Sequence, residues 1–414
     1  MRILHTSDWH LGRSFHGASL LDDQAAVVDR VVSIVSSEGV DLVVIAGDLY
    51  DRAIPPGPAV ELFDDAIARL HATGARVVAI SGNHDSAVRV GGHDALLNRL
   101  GVAVRGDVTR LDEPIVIEDP ADGGPPVAVY LVPYLEPAAC AHLLGAAGDS
   151  EEAADDEAGA ETPTLFDQDL PRRRRPTHDD VTRAATARIR RHLESLGGAR
   201  SVVVAHAFVA GGAVSDSERD LSVGNVERVS VGAFDGFDLV ALGHLHGPQT
   251  LAGDRIAYSG SPLPYSFSEE RQAKSVRLVD LAVDGSVVAS TIPLDVGRPL
   301  RTLTGTLHDL LTSPDLHDAT EARVRVRLTD AHLPDQAMAR IRARFPHAVE
   351  LRHVPHGVEA GPGGPITEAG AIDALDPLEL ALLFWADQQG TEATEAEREL
   401  LERALAASVL ESGS

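Results

Sequence analysis

The sequence predicts an α/β layered domain followed by a small α+β domain and a short helical tail. Three observations point there. Short runs of Val, Ile and Leu recur over the first two-thirds of the 414 residues, and helical stripes of apolar residues lie between them. Past about residue 268 the pattern turns to a hairpin and a strictly alternating strand.

Residues 2–5, 41–46, 75–80, 127–132, 201–205 and 238–242 read as strands buried on both faces, because they are continuously apolar instead of alternating. Val27, Val31, Ile34 and Val35 form one helical stripe, closed by Gly39. Val60, Phe63, Ile67 and Leu70 form a second, closed by Gly74, and Val181, Ala185, Ile189 and Leu196 a third, ended by Gly197. The rhythm breaks between about 146 and 179. Residues 149–169 carry Asp and Glu without a basic residue, and Arg172 to Arg175 follow, which reads as a low-complexity surface insertion.

Val276 to Val283, Asp284-Gly285 and Val287 onward read as a β-hairpin, since Asp-Gly accepts the positive φ angles of a tight turn. Ala322, Val324, Val326 and Leu328 alternate with Arg323, Arg325 and Arg327 as a half-buried strand. Met338, Ile341 and Phe345 suggest a helix, and Ala348 to Val354 a further strand. The expected divisions are 1–268 for the first domain, 269–358 for the second, 359–371 for a Gly/Pro-rich linker and 372–414 for the tail. Leu378, Leu382 and Trp385 line one tail helix; Leu401, Leu405 and Val409 line another. Asp376-Pro377-x-Glu379 and Thr394-x-x-Glu397 are their capping signatures. An amphipathic pair with little core of its own either folds back or docks on a partner, and the flexible linker favours the partner.

The single cysteine, Cys140, excludes an intrachain disulfide and suits a reducing compartment. The chain opens without an apolar leader and holds no apolar run of the roughly 18 residues that a membrane span needs. A soluble, cytoplasmic protein is expected. The net charge of −27 opposes phosphate binding at long range, yet residues 321–354 hold seven arginines against four acids, so basic surface exists locally. Lys274, the only lysine, reads as compositional bias in an arginine-rich chain.

The chemistry lies in what ends each strand. The runs close on Ser7-Asp8-Trp9-His10, Gly47-Asp48, Gly82-Asn83-His84-Asp85, His206 and Gly243-His244-Leu245-His246. Strand C-terminal ends are where an α/β sheet presents its ligands, so these groups converge on one edge. Carboxylate, amide and neutral imidazole form a mixed donor set that suits Mn²⁺, Fe²⁺ or Zn²⁺ better than Ca²⁺ or Mg²⁺. Asp48 on its Gly-Asp turn is the natural bridge between two ions. Each motif alone is weak evidence; together, in this order, they indicate a binuclear centre. His5 reads as core, Trp9 as packing beneath the site, and His71, His93, His142 and His192 as solvent-facing.

Asp8-x-His10, Gly47-Asp48, GNHD at 82–85, His206 and GHLH at 243–246 resemble the calcineurin-type metallophosphoesterases. More specifically, HTSDWHLGR (5–13), GDLYDR (47–52), SGNHDS (81–86), ALGHLHGPQ (241–249) and YSGSPLPYSFSE (258–269) resemble the SbcD family of bacterial nuclease subunits and its archaeal and eukaryotic recombination-nuclease relatives. The resemblance implies a layered β-sandwich flanked by helices, a capping α+β domain and an ATPase-binding tail. It puts Asp8, His10, Asp48 and His246 on one divalent ion, and Asp48, Asn83, His206 and His244 on the other, with Mn²⁺ the expected metal. His84 becomes the general acid or phosphate-stabilising group, with Asp51 fixing its tautomer, and Arg52 and Arg13 become candidate phosphate contacts; for Arg52 a surface salt bridge is the equal alternative. The implied partners are double-stranded DNA and an SbcC-type ATPase, with a homodimer inside a heterotetramer. Two other functions share these motifs: a phosphatase or phosphodiesterase for a small phosphoester, and a scaffold that recruits the ATPase to DNA without cutting. The acidic-then-basic insertion has no place in the family pattern.

Overall fold

The structure, a computed structural model, describes residues 1–118, 124–146, 175–218, 228–355, 378–382, 385 and 393–411. The chain divides into two compact units, Met1–Arg301 and Thr302–Ser414.

The first unit is a sandwich of two six-stranded sheets. One sheet is built on β1 (Arg2–Thr6), β2 (Leu42–Ile45), β3 (Arg76–Ile80) and β4 (Val102–Arg105), which run parallel in that order. The other holds β5 (Ile115–Ile117), β6 (Val127–Val132), β7 (Arg200–His206) and β8 (Leu239–Gly243), followed by β9 (Gln249–Thr250) and β10 (Ile256–Tyr258), in the order β9-β10-β8-β7-β6-β5. Period-two alternation splits β6 cleanly. Val127, Val129 and Leu131 meet Ile3, Val44 and Val78 in the core between the sheets, while Ala128, Tyr130 and Val132 join the outer core with Val181, Ala185 and Ile189 of the helix His178–Ser195. Strands covered on both faces must be apolar throughout, which is why they read as continuous runs.

The helices follow the predicted stripes in part: Val60 and Ile67 of the second are only half-buried, and Leu196 of the third is exposed because the helix ends one residue before it. α1 (Leu21–Glu38) buries Val27, Val31, Ile34 and Val35 and stops at Gly39, whose φ of 62° lets its N–H cap the Val35 carbonyl. α2 (Gly57–Ala72) buries Phe63, Ala66 and Leu70. The helix His178–Ser195 starts on a capping box between Thr177 and Asp180, so ordered structure resumes slightly before residue 179, where the sequence pattern ends the insertion. The greater part of that insertion, 147–174, lies outside the described residues.

The predicted hairpin forms, but in a different place. β11 (Ser275–Leu281) and β12 (Val287–Pro293) pair antiparallel, with Gly285 at φ 82° in the turn, and β11 also pairs antiparallel with β1. The hairpin therefore belongs to the first sheet, and the break between units falls after Arg301 instead of after residue 268. The physical reason is present in the run itself. β11 is buried at six of its seven positions, with Val279 and Leu281 in the inter-sheet core, so it needs cover on both faces.

The second unit carries the three-stranded sheet β13-β14-β15, formed by Leu300–Gly305, Arg323–Leu328 and Ala348–His353. Its core gathers Val324, Val326, Leu328, Ile341 and Phe345, so the alternating strand and the helix Ala337–Arg344 stand where the pattern puts them. Thr394 caps a helix at Glu395–Glu411, with Glu397 returning a bond to its backbone N–H. The linker 359–371 and the Asp376-Pro377 signature lie outside the described residues.

Candidate metal centre

Five loops at the carboxyl ends of β1, β2, β3, β7 and β8 meet on one edge of the sandwich. The first two are stitched by backbone hydrogen bonds: Asp8 N–H to Gly47 O at 3.0 Å, His10 N–H to Asp48 O at 2.9 Å and Leu11 N–H to Leu49 O at 2.9 Å. Asp85 clamps the second loop to the third. Its carboxylate accepts the N–H groups of Leu49, Tyr50 and Gly82, each at 2.9 Å. Two glycines make the approach possible. A Cβ on Gly82 would sit 2.1 Å from Asp48 Oδ1, and one on Gly47, at φ 90°, would sit 2.3 Å from His206 Nδ1.

The loops hold their functional side chains in strained backbone. Asp8, His10, Asp48 and His244 have φ of 54°, 44°, 48° and 108°, where non-glycine residues are rare and each costs roughly 1–3 kcal/mol. Such strain persists only where the surroundings over-determine it. Here Gln24 of α1 does part of that: it accepts the Gly12 N–H at 3.0 Å and donates to His10 O at 2.7 Å. The Tyr265 hydroxyl donates to Trp9 O at 2.5 Å. The sequence reading gives no role to Gln24, Asp85 or Tyr265. Their signal is a contact across 12 to 256 residues, which no local pattern displays.

Seven predicted ligand residues come together. His10 Nε2 and His246 Nε2 face each other at 3.1 Å, and Asp48 Oδ2 lies 3.5 Å from His10 Nε2 and 3.6 Å from His206 Nε2. Asn83 Oδ1 stands 2.9 Å from His206 Nε2 and 3.1 Å from His244 Nδ1. The Asp8 carboxylate accepts the Ser7 hydroxyl at 2.5 Å and the His244 N–H at 3.0 Å. Ligand atoms of Asp8, His10 and His246, of His10, Asp48 and His84, and of Asp8, Asp48 and His206 each gather within 4.8 Å.

This arrangement fits divalent cations on its own physical terms. His206 Nδ1 donates to the Ala46 carbonyl at 2.9 Å, which leaves its Nε2 lone pair turned into the site. Burial holds the His10 and His206 imidazoles below their usual pKa, and His244 down to about 3, so all three are neutral donors. Burial and the neighbouring Asp48 raise Asp8 well above the carboxylate range. Asp48, although burial pushes it up, ends below that range because His206 and His84 outweigh the desolvation. Two buried carboxyl groups packed among close imidazole nitrogens are unfavourable together without positive charge between them.

The centre opens into a cavity of about 320 Å³ lined by Arg13, Asp48, Asp51, Asn83, His84 and His244 among others. His84 lines it with Nδ1 donating at 3.0 Å to the backbone carbonyl of Asp51. The expected pairing of His84 with the Asp51 carboxylate is corrected here: that carboxylate meets Arg13 at 3.3 Å instead, and the main chain holds the ring. Arg13 also stacks over the Tyr265 ring at 4.9 Å. Arg52 is exposed and outside the cavity lining. Of the remaining histidines, His5 is buried against Leu242 O as core, and His71, His93 and His142 are exposed, but His192 is half-buried on the Tyr130 hydroxyl. Trp9 packs edge-on against Phe63, and Cys140 is buried in the outer core.

Comparison with known proteins gives two family matches. Residues 1–248 match the calcineurin-like phosphoesterase model, and residues 296–389 match the SbcD C-terminal model, described as the type 5 capsule protein repressor C-terminal domain. Among solved structures, TT1561 of Thermus thermophilus is similar at 14% identity and a TM-score of 0.37, over 70% of this chain and 98% of its own. GAP50, the anchor in the inner membrane complex of Plasmodium, is similar at 11% identity and a TM-score of 0.38, over 88% of this chain and 99% of its own. Likenesses that distant add nothing to the reading of the site.

Proposed function

The chain belongs to the calcineurin-like phosphoesterase family, a metal-dependent phosphoester hydrolase with an SbcD-type C-terminal domain, and from that premise we propose that it is the nuclease subunit of an SbcCD-type complex. In this reading it is cytoplasmic and acts on double-stranded DNA, above all on ends and hairpins, as a 3′-to-5′ exonuclease and structure-specific endonuclease. An SbcC-type ATPase, gripped by the helices of 372–414, gates access, and two copies of each subunit assemble. The observation that carries the proposal is the presence in one chain of a hydrolase domain over 1–248 and an SbcD-type domain over 296–389, where a small-substrate enzyme needs only the first. No helix among the described residues is long and apolar enough to cross a membrane.

Asp8, His10, Asp48 and His246 would hold one ion, and Asp48, Asn83, His206 and His244 the other, with Mn²⁺ favoured by the mixed oxygen and imidazole donors. When bound, the ions supply Lewis-acid stabilisation of the phosphoryl charge and a more acidic water. The chain's own groups do the rest. Because His84 Nδ1 donates to the Asp51 carbonyl, Nε2 is the nitrogen free to act on the phosphoester, and the ring protonated on both nitrogens would give its Nε2 proton to the departing sugar oxygen and be left as the Nδ1–H tautomer. Arg13, braced by Asp51 and Tyr265, binds non-bridging phosphate oxygens, and its planar fork suits them.

The test compares a labelled hairpin DNA with a chromogenic phosphodiester in Mn²⁺, with the ATPase partner present. Hairpin cleavage that disappears in His84→Ala, with metal content retained, is the expected result. Turnover of the small diester alone would favour the phosphatase reading, and hairpin cleavage untouched by His84→Ala would remove His84 from the chemistry. Truncation after residue 365 should spare the small-diester activity and abolish co-purification of the ATPase.

A further inference from the structure

We propose that Lys274, Glu269 and Ser217 form a positioning relay that sets the tautomer of His246 and so turns its Nε2 lone pair toward the metal centre. The proposal rests on the centre assigned above and concerns what makes one of its histidines a competent ligand.

Donor counting carries the argument. His206 meets a backbone carbonyl, which can only accept, so its Nδ1 must carry the proton. His246 has no such fixed partner. Its Nδ1 lies 2.8 Å from the Ser217 hydroxyl, which can either give or take a proton and therefore settles nothing alone. The next group decides. Ser217 Oγ lies 2.6 Å from Glu269 Oε1, and Glu269 is held as an acceptor by the Lys274 ammonium, 2.6 Å from its other oxygen. The single Ser217 proton goes to that carboxylate, so the hydroxyl must accept from His246 Nδ1–H. Ser215, 2.7 Å from Ser217 Oγ and 3.3 Å from Glu269 Oε1, adds a donor to the same acceptors, and Glu218 Oε1, 3.7 Å from Nδ1, adds negative charge on the same side.

The lysine is held as tightly as its partner. Lys274 and Glu269 side chains are 8% and 0% exposed, and Nζ also contacts His246 O at 2.9 Å, Ser261 Oγ at 3.0 Å and Gln272 Oε1 at 2.9 Å. The only lysine in 414 residues thus touches both the backbone of His246 and, through two side chains, its ring. Composition alone makes it a by-product of arginine bias; the structure gives it a position that a longer, forked arginine would not fill.

The test is Mn²⁺ titration of the full-length, metal-free protein by calorimetry, together with nitrogen NMR of the histidine tautomers, in wild type, Ser217→Ala, Ser217→Thr and Glu269→Gln. Ser217→Ala should weaken one of the two binding events by about 10–100-fold, as loss of an outer hydrogen bond to a ligating histidine does, and Ser217→Thr should restore it. Glu269→Gln should reduce the Nδ1–H population of His246. Lys274→Met belongs in the set, but Ser217→Ala keeps the proposal open to refutation if that variant does not fold. Wild-type affinities and an unchanged tautomer in both Ser217→Ala and Glu269→Gln would overturn the relay alone. A wild type that takes up no Mn²⁺ would overturn the centre and the relay with it.

Discussion

The two units of this chain treat polar groups in opposite ways. In Met1–Arg301 the buried set includes Asp8, His10, Asp48, His206, His244, His246, Glu269, Arg105 and Arg277, whereas beyond Arg301 the buried polar side chains among the described residues reduce to Thr329. The second unit keeps its charges at the surface or half-exposed, with Arg325 and Arg352 both meeting Glu350, and builds its core from Leu, Val, Ile and Phe. Its interior serves stability. The first unit buries charge and strained backbone at one edge, which lowers stability and is retained because a reactive site needs it. Substitutions should therefore separate the two: at the site they remove activity and spare or raise metal-free stability, and in the second core they do the reverse.

The largest effect is expected at Asp8. Asp8→Asn should abolish Mn²⁺-dependent turnover while leaving the metal-free melting temperature equal or higher. The sign follows from linkage. Burial and Asp48 raise the folded pKa of Asp8 above its unfolded value near 3.8, so the folded state binds that proton more tightly. Stability from this group is full below the unfolded pKa and is lost as pH rises through the folded one. The stability difference between wild type and Asp8→Asn should then move against wild type as pH rises, and a flat difference across pH would break the account. Next, His84→Ala should lower kcat by about 10²–10⁴-fold with both ions still bound, as measured by turnover and metal analysis side by side.

In the second unit, Ile341→Ala empties a fully buried position and should cost about 2–5 kcal/mol in chemical unfolding of that unit. Turnover of a small diester should stay at the wild-type level; a matching loss of turnover would show that the two interiors are not separable as argued. The smallest effect is expected at Cys140, whose thiol pKa burial raises. It should react with a maleimide only on unfolding, and more slowly once Mn²⁺ has stabilised the folded state.

Much of this is legible in the sequence, for a physical reason. β1, β2, β3, β6, β7 and β8 are covered on both faces, so their apolar runs are uninterrupted, and all of them except β6 stop where the chain turns into the site. The ligand motifs after β2, β3 and β8 are readable because a strand end, a glycine and a donor side chain fall within four residues of each other. What stays hidden is set by contacts distant along the chain. The hairpin's place beside β1, the Asp51 carboxylate's choice of Arg13 over His84, and Lys274 behind His246 each depend on a partner that local periodicity cannot name. His192 illustrates the same limit: a helical histidine that reads as solvent-facing is half-covered by Tyr130 from β6.

Asp48 is proposed to join two cation sites across loops from five strands. Metal content per chain, measured after equilibration with Mn²⁺ and removal of excess, tests it directly on wild type and Asp48→Ala. Two ions per wild-type chain and loss of both sites' affinity in the variant are expected. A wild type that holds none, or an Asp48→Ala that still holds two, would contradict the proposal.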